Sequence, residues 1–309
     1  MIVTTYTKER ANDLIECIHS LQQQTLKPDE VILVLDNPEL ESFYSSVISS
    51  QVKIVNSAGS WGSSYARNTG LMNATGEVVA FIDDDAVAAK DWLMNLVQDY
   101  KSADVVGVTG FVMPVWAKGR PDWFPEELDW VVGCSHKGLP IEKASVRNPI
   151  GCNMSFRKEI FGKAGYFQPR LGAQPTSLLM RSEEAELSMR ILKSYPRSQI
   201  VFEPTAIVYH KVPMSRTSIR YLMRRSFYEG FSKRIFQNYV QTADVLSTEE
   251  NYLKYLVRVA VVSRLKQIPK SRSCSELLVI GLSIMMVGIG YIAGHFSRLR
   301  SVGEPGPDN

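Results

Sequence analysis

At 309 residues the chain is long enough for one large domain or two small ones, with ample core. Hydrophobic residues make up 45% and charged residues 22%, which excludes a largely disordered chain, and a formal net charge of +3 is too small to imply nucleic acid. Cys17, Cys134, Cys152 and Cys274 form no CxxC pair, which argues against a zinc site and for free thiols in a reducing compartment. No secretory leader precedes the first apolar run, so a cytoplasmic start is expected.

Ile2 to Thr5 reads as a short strand, followed by the polar loop Tyr6 to Arg10. Leu14, Ile15, Ile18 and Leu21 recur at helical spacing and end before Pro28. Val31 to Leu35 is a second buried strand that runs into Asp36, and a helix through Glu39–Ser49 leads to a strand at Val52–Val55. Gly59, Ser60, Gly62, Ser63 and Ser64 make a flexible loop before a helix from Tyr65 to Asn73. The five apolar residues Val78 to Ile82 then form a strand buried on both faces, which ends in Asp83-Asp84-Asp85. Alternating strands and helices with short links predict a parallel, doubly wound α/β unit.

Ligands in such sheets bind outside the carboxyl ends of the strands. Three adjacent carboxylates there repel one another unless they are solvated or share a cation, and oxygen ligands suit Mg²⁺ or Mn²⁺. An acidic turn opening the next helix is the competing reading. The first strand-to-helix loop has no glycine, so neither GxGxxG nor a Walker A loop is present, which also counts against a nucleotidyltransferase. A diphosphate would then need a metal for neutralisation. Asp36 and Thr5-Tyr6 would hold base and ribose, since a carboxylate accepts the imide N–H of uracil and Tyr6 offers a stacking ring.

A helix is expected over Asp91–Tyr100 and a strand over Val105–Thr109, after which periodicity fades. Trp116, Trp123, Phe124 and Trp130 lie among prolines and charges, either as part of an acceptor lid or as packing for an irregular subdomain. Ile200–Phe202 and Ala206–Val208 are strands leading to His210. Arg216, Arg220, Arg224, Arg225, Lys233 and Arg234 then alternate with aromatic residues in a helical stretch expected to break near Gly230. Such a stretch suits a diphosphate, a lipid phosphate or anionic headgroups. Leu253 to Val261 suggests a helix along the membrane interface. Leu277–Gly294 is long enough to cross a bilayer, with a buried soluble helix as the alternative. The basic excess on its upstream side predicts a cytoplasmic catalytic domain, and Gly290-x-x-x-Gly294 offers a close-packing face.

Thr4-Thr5-Tyr6, the strand ending in Asp36, Ala66-Arg67-Asn68-Thr69-Gly70 and Gly76 through Asp85 together resemble successive motifs of the GT-A family 2 glycosyltransferases. Thr4 stands where that family usually has Pro, and Thr7 where it has Asn. The resemblance implies a Rossmann-like GT-A fold in which Asp83 and Asp85 coordinate a divalent metal, Mn²⁺ or Mg²⁺, on the donor diphosphate. It places Asp36 on the base, with Thr5, Tyr6, Arg67, Asp84, Arg224 and Arg225 as further donor contacts. Gly151 to Arg157 resembles the strand under the acceptor site, so Gly151 and Asn153 are expected to meet the acceptor. Ser182 to Arg190 resembles the family's Glu-Asp-x-Asp-Leu-x-x-Arg motif with Glu at both Asp positions. The base of an inverting transfer then falls on Glu184, with Glu183 as the fallback, and His210 resembles a late histidine that completes the metal site.

Trp123-Phe124-Pro125, Arg147 to Gly151 and Arg225 to Gly230 are most similar to archaeal glucosyl-dolichyl-phosphate glucuronosyltransferases. That resemblance implies a UDP-sugar donor, a lipid-linked glycan acceptor on dolichyl or polyprenyl phosphate, a role in protein N-glycosylation, and contact with other proteins of that pathway. Exopolysaccharide assembly and an inactive membrane-tethered scaffold are the alternatives. The expected division is a catalytic domain over 1–213, with a nucleotide-sugar half at 1–110 and an acceptor half at 111–213. A basic amphipathic helical region at 214–272, a transmembrane helix at 273–300 and a disordered tail at 301–309 follow.

Overall fold

The computed structural model describes residues 1–58, 62–171, 182–240, 247–267 and 271–297. Strands β1 (Ile2–Thr5), β2 (Val31–Leu35), β3 (Val52–Asn56) and β4 (Val78–Asp83) run parallel in the order β3-β2-β1-β4. Helices α1 (Ala11–Gln22), α2 (Glu41–Val47) and α3 (Ser63–Asn73) cross over between them. All five side chains of β2 are buried, as a strand covered on both faces requires. Apolar clusters fill both faces of the sheet. Leu14, Leu33 and Trp92 anchor one, and Ile32, Phe81 and Phe156 the other. Because Thr5 pairs with Leu35 and Thr4 with Asp83, the carboxyl ends of β1, β2 and β4 meet at one edge.

The remaining strands turn the sheet mixed. After β5 (Ala86–Ala88) and α4 (Trp92–Val97) comes β6 (Val105–Trp116), followed by β7 (Ala144–Val146) and β8 (Asn153–Arg157). Strand β8 lies antiparallel between β4 and β6, and the long β9 (Gln199–Val212) lies parallel to β6. Two sequence expectations are corrected here. Strand β6 does not end at Thr109, and β9 is one strand running through Pro204. Their second halves pair with each other from Val112↔Val208 to Trp116↔Val212, beyond a register shift at Gly110. A Cβ at Gly110 would stand 1.8 Å from the Ala206 carbonyl, so glycine permits that crossing.

Helix α5 (Phe161–Ala164) closes the second cluster, and α6 (Glu183–Ser194) follows with Leu187 and Ile191 packed into it. The aromatic stretch after β6 is mostly packing, although Trp130 also lines the cavity at the carboxyl ends of β1, β2 and β4. Phe124 is fully buried, and Trp116, Trp123 and Trp130 pack against a third apolar cluster that includes Leu222, Leu256 and Ile280. That cluster seats the C-terminal helices: α7 (Ile219–Val240), α8 (Ser247–Tyr255), α9 (Val262–Leu265) and α10 (Ser271–Phe296). The expected break at Gly230 does not occur, and α7 runs straight through it. Gly230 is instead where α10 crosses, since a Cβ there would lie 1.9 Å from the Val287 carbonyl. Gly290 answers in kind, 1.9 Å from the Phe227 carbonyl, and Gly294 sits over Phe231 and Arg234. The small-residue face read from Gly290 and Gly294 thus packs on α7. Helix α10 is long and apolar enough to cross a membrane, and only 28% of its most apolar stretch is buried, too little for the core helix of a soluble domain. The tail 301–309 lies outside the described residues.

Candidate active site

The carboxyl ends of β1, β2 and β4 open into a cavity of about 1060 Å³. Asp36, at the end of β2, accepts a hydrogen bond from the Gly62 N–H at 2.8 Å through Oδ2. Its Oδ1 is buried and has no hydrogen bond of normal geometry among the described residues, and burial raises its carboxyl above the ordinary value against the pull of Gly62 and of the nearby Ser57 hydroxyl. An acceptor atom left open in this way suits an incoming N–H. Tyr6 is 43% exposed at the cavity edge, with the Arg10 guanidinium 5.1 Å over its ring.

Asp83, Asp85 and His210 come together as the sequence predicts. One ligand atom from each lies within 4.8 Å of the others. Strand β5 sets this geometry, because Ala86 pairs directly with His210. Asp85 Oδ1 lies 3.3 Å from His210 Nε2. Two carboxylates and one imidazole form a donor set that fits Mn²⁺ or Mg²⁺. Burial works against the Asp85 charge, but His210, Arg10 and Arg216 hold its carboxyl well below the usual range.

Asp84 has another task. It is 3% exposed, accepts from the Thr5 hydroxyl at 2.6 Å and pairs with Arg10 at 2.7 Å. The hydroxyl of Thr5 and the carboxylate of Asp84 therefore tie β1 to the turn after β4, and both residues line the cavity. Burial pushes the Asp84 carboxyl up to about 7, with Arg10 opposing. Arg10 also reaches Asp85 at 2.6 Å, so one guanidinium spans two of the three acids. Sequence reading passed over Arg10. Its signal was electrostatic, since three adjacent carboxylates beside β1 require a cation from the loop that follows β1.

Arg67, on α3, joins the two chemical centres. It is buried, with Nη2 3.7 Å from Asp83 and Nη1 3.1 Å from Glu183 and 2.9 Å from Glu184. Burial disfavours its charge, but Glu184, Glu183 and Asp83 more than offset that and hold it protonated. Both glutamates open α6. Ser182, expected as the cap, makes no side-chain cap bond. Glu183 is buried against the Ser63 hydroxyl at 2.9 Å, and burial together with Glu184 pushes its carboxyl up to about 7. Glu184 faces the cavity with its side chain 16% exposed. Both glutamates line the cavity, and Glu184 is the more exposed of the two.

The acceptor residues expected from sequence change roles. A Cβ at Gly151 would lie 2.2 Å from Glu184 Oε1 and 3.3 Å from Arg67 Nη2. Glycine there makes room for the carboxylate and its arginine, and Gly151 itself lines the cavity. Asn153 is fully buried and does not line the cavity. Its Oδ1 accepts from the Trp92 indole N–H at 2.9 Å, and its amide donates to the carbonyls of Ala206 and Phe111. It ties β8 to β6, β9 and α4.

Arg224 and Arg225 line the opposite wall, built by α7, α8 and α10. Arg225 pairs with Glu229, Glu229 with Lys233, Lys233 with Glu249, and Glu249 with Arg147. Arg216 also lines the cavity, next to His210 and Asp85, and donates to the Val132 carbonyl at 3.2 Å. It was legible only as one of a basic run.

Residues 1–165 match the family described as Glycosyl transferase family 2. Over 304 residues, 95% of each chain, the sequence is 35% identical to the glucosyl-dolichyl phosphate glucuronosyltransferase of Haloferax volcanii. It is 29% identical over 169 residues, 54% of this chain and 50% of the relative, to a succinoglycan biosynthesis protein of Rhizobium meliloti. Among solved structures, a mannosyltransferase of Pyrobaculum calidifontis in complex with GDP-Man and Mn²⁺ has the same fold, with a TM-score of 0.57 at 17% identity over 94% of this chain and 86% of that one.

Proposed function

The chain belongs to glycosyltransferase family 2, and from that premise we propose that it transfers a sugar, with inversion, from a UDP-sugar to a sugar carried on dolichyl or polyprenyl phosphate. One observation carries the reading. Arg67 bridges the Asp83 side of the cavity to Glu184, so a donor diphosphate and an acceptor hydroxyl would share one guanidinium. A divalent cation held by Asp83, Asp85 and His210 would neutralise the diphosphate and ease departure of UDP. Asp36 Oδ1 would accept the uracil imide N–H, and Tyr6 would stack on the base. Glu184 would take the acceptor hydroxyl proton as that oxygen bonds to the anomeric carbon and the bond from that carbon to the UDP oxygen breaks. Arg67 and Arg216 would meet the charge left on the diphosphate.

The lipid acceptor, and with it a role in protein N-glycosylation beside other proteins of such a pathway, is supported by the full-length likeness to a dolichyl-phosphate enzyme. That likeness extends through the C-terminal helices. The exopolysaccharide alternative rests on matches that span about half the chain. The outward apolar face of α10 supports attachment to the cell membrane, and the basic residues ahead of it support a catalytic domain on the cytoplasmic side. The test is incubation of purified membranes with labelled UDP-sugars and lipid-linked acceptor, with and without EDTA. A divalent-metal-dependent lipid product is expected. Its absence with every donor sinks the reading.

A further inference from the structure

The cavity, at about 1060 Å³, is slightly larger than the roughly 300–1,000 Å³ of an ordinary small-molecule site. Besides the charge chain from Arg225 to Arg147, its lining includes apolar residues of the C-terminal helices. Leu253 of α8, Leu256 just beyond it, and Ile284, Val287 and Gly288 of α10 contribute, with Ser283 and Tyr291 beside them. Helix α10 thus has two faces with two duties. Its inner face lines the cavity, while its outer face presents Leu278, Met285, Ile289, Ile292 and Phe296 to the exterior without a charge among them. An uncharged stripe of this kind at helical spacing suits hydrocarbon. Gly288 belongs to both faces, since it is exposed and lines the cavity, and nothing lies within 4 Å of a Cβ built on it.

We propose that the groove between α8 and α10 binds the isoprenoid chain of a polyprenyl phosphate, admitted sideways from the leaflet in which the outer stripe of α10 rests. This deepens the lipid-acceptor reading and rests on it. The chain would lie along Leu253, Leu256 and Val287, so the lipid never leaves an apolar environment while its head reaches the sugar site. Its phosphate would meet Arg224, which lines the same cavity, lies over the Tyr228 ring and has no carboxylate partner among the described residues. Arg225, Lys233 and Arg147, in contrast, are each engaged by glutamates. Glycines at 230 and 290 bring α7 and α10 together, and that contact fixes the position of the groove wall.

The experiment uses the full chain in detergent micelles with undecaprenyl phosphate bearing a diazirine in its chain. Cross-links are expected on Leu253–Leu256 and Ile284–Tyr291, competed by unlabelled undecaprenyl phosphate and only weakly by citronellyl phosphate. Gly288→Trp should cut that labelling about tenfold while UDP affinity, measured by calorimetry, is unchanged. Gly288→Leu, a smaller block, should give a smaller loss. Arg224→Ala should weaken undecaprenyl phosphate about tenfold and undecaprenol not at all, a loss of roughly 1.4 kcal/mol for one charge-assisted contact. Labelling confined to the outer stripe, or undiminished in Gly288→Trp, overturns the groove. Equal competition by phosphatidic acid overturns the isoprenoid assignment. Sugar transfer failing with every donor while the groove still labels and responds to Gly288→Trp would refute the transfer reading alone.

Discussion

The wall formed by β1, β2 and β4 and the wall formed by α7, α8 and α10 handle charge in opposite ways. On the strand wall, carboxylates stand at strand ends and are held by two distant arginines, Arg10 and Arg67, yet Asp36 Oδ1 and Glu183 Oε2 are buried without hydrogen-bond partners among the described residues. On the helical wall, Arg225, Glu229, Lys233, Glu249 and Arg147 form one continuous chain of ion pairs. Unpaired buried polar atoms are costly, and those that line a cavity are open to a ligand, whereas paired ones hold structure. We read the strand wall as the chemical one and the ion-pair chain of the helical wall as the support for the proposed lipid groove and for Arg224.

Substitutions on the two walls should separate accordingly, and the largest effect belongs to the strand wall. Glu184→Gln should lower kcat by about a thousandfold, in the range for loss of a general base, with UDP affinity nearly intact by calorimetry. Retained activity would move the base elsewhere and dissolve the contrast between Glu184 and its neighbour. On the helical wall, Gly230→Leu drives a side chain into the Val287 carbonyl. It should cost about 2–3 kcal/mol, the upper range for overpacking, read as a Tm lower by several degrees. An unchanged Tm would mean that α7 and α10 do not cross there.

Asn153→Ala removes the partner of the buried Trp92 indole and of two carbonyls. A loss of roughly 1–3 kcal/mol in stability is expected, with the acceptor KM unchanged. A raised KM at wild-type stability would return Asn153 to the acceptor site. The last substitution, Glu183→Gln, is read as a pH profile. The folded carboxyl sits at about 7 against an ordinary 4.5, so its contribution to stability is full below about 4.5, falls as pH rises and is gone above about 7. Glutamine keeps the neutral form at every pH, so the difference in Tm between variant and wild type should shift in favour of the variant from pH 5 to pH 8. A parallel pair of profiles would show that Glu183 is ionised throughout.

Much of the strand wall was legible before any coordinates. Continuous apolar runs ending in Asp36 and in Asp83-Asp84-Asp85 are local patterns, and parallel strands must present their carboxyl ends together. Asp83, Asp85 and His210 converge as the motif resemblance implied. Less of the helical wall could be read. Part of the ion-pair chain runs within α7, from Arg225 through Glu229 to Lys233, but its continuation through Glu249 of α8 to Arg147 depends on other elements. Gly230 looked like a break because a glycine in a helix costs about 1 kcal/mol when nothing packs on it. The helix that packs on it lies some sixty residues on.

The sequence by itself determined the parallel sheet, the acidic edge, the glutamates opening α6 and the apolar C-terminal helix, because each depends on the order of neighbouring residues and on one repeating period. Tertiary structure alone decided which carboxylates remain open. Thr5 and Arg10 claim Asp84, Arg67 is shared among Asp83, Glu183 and Glu184, and Gly151 clears the space that Glu184 fills. Those assignments follow from distances of a few ångströms between residues tens to more than a hundred positions apart. Hydrogen bonding and burial act over such distances in space, whatever the separation along the chain.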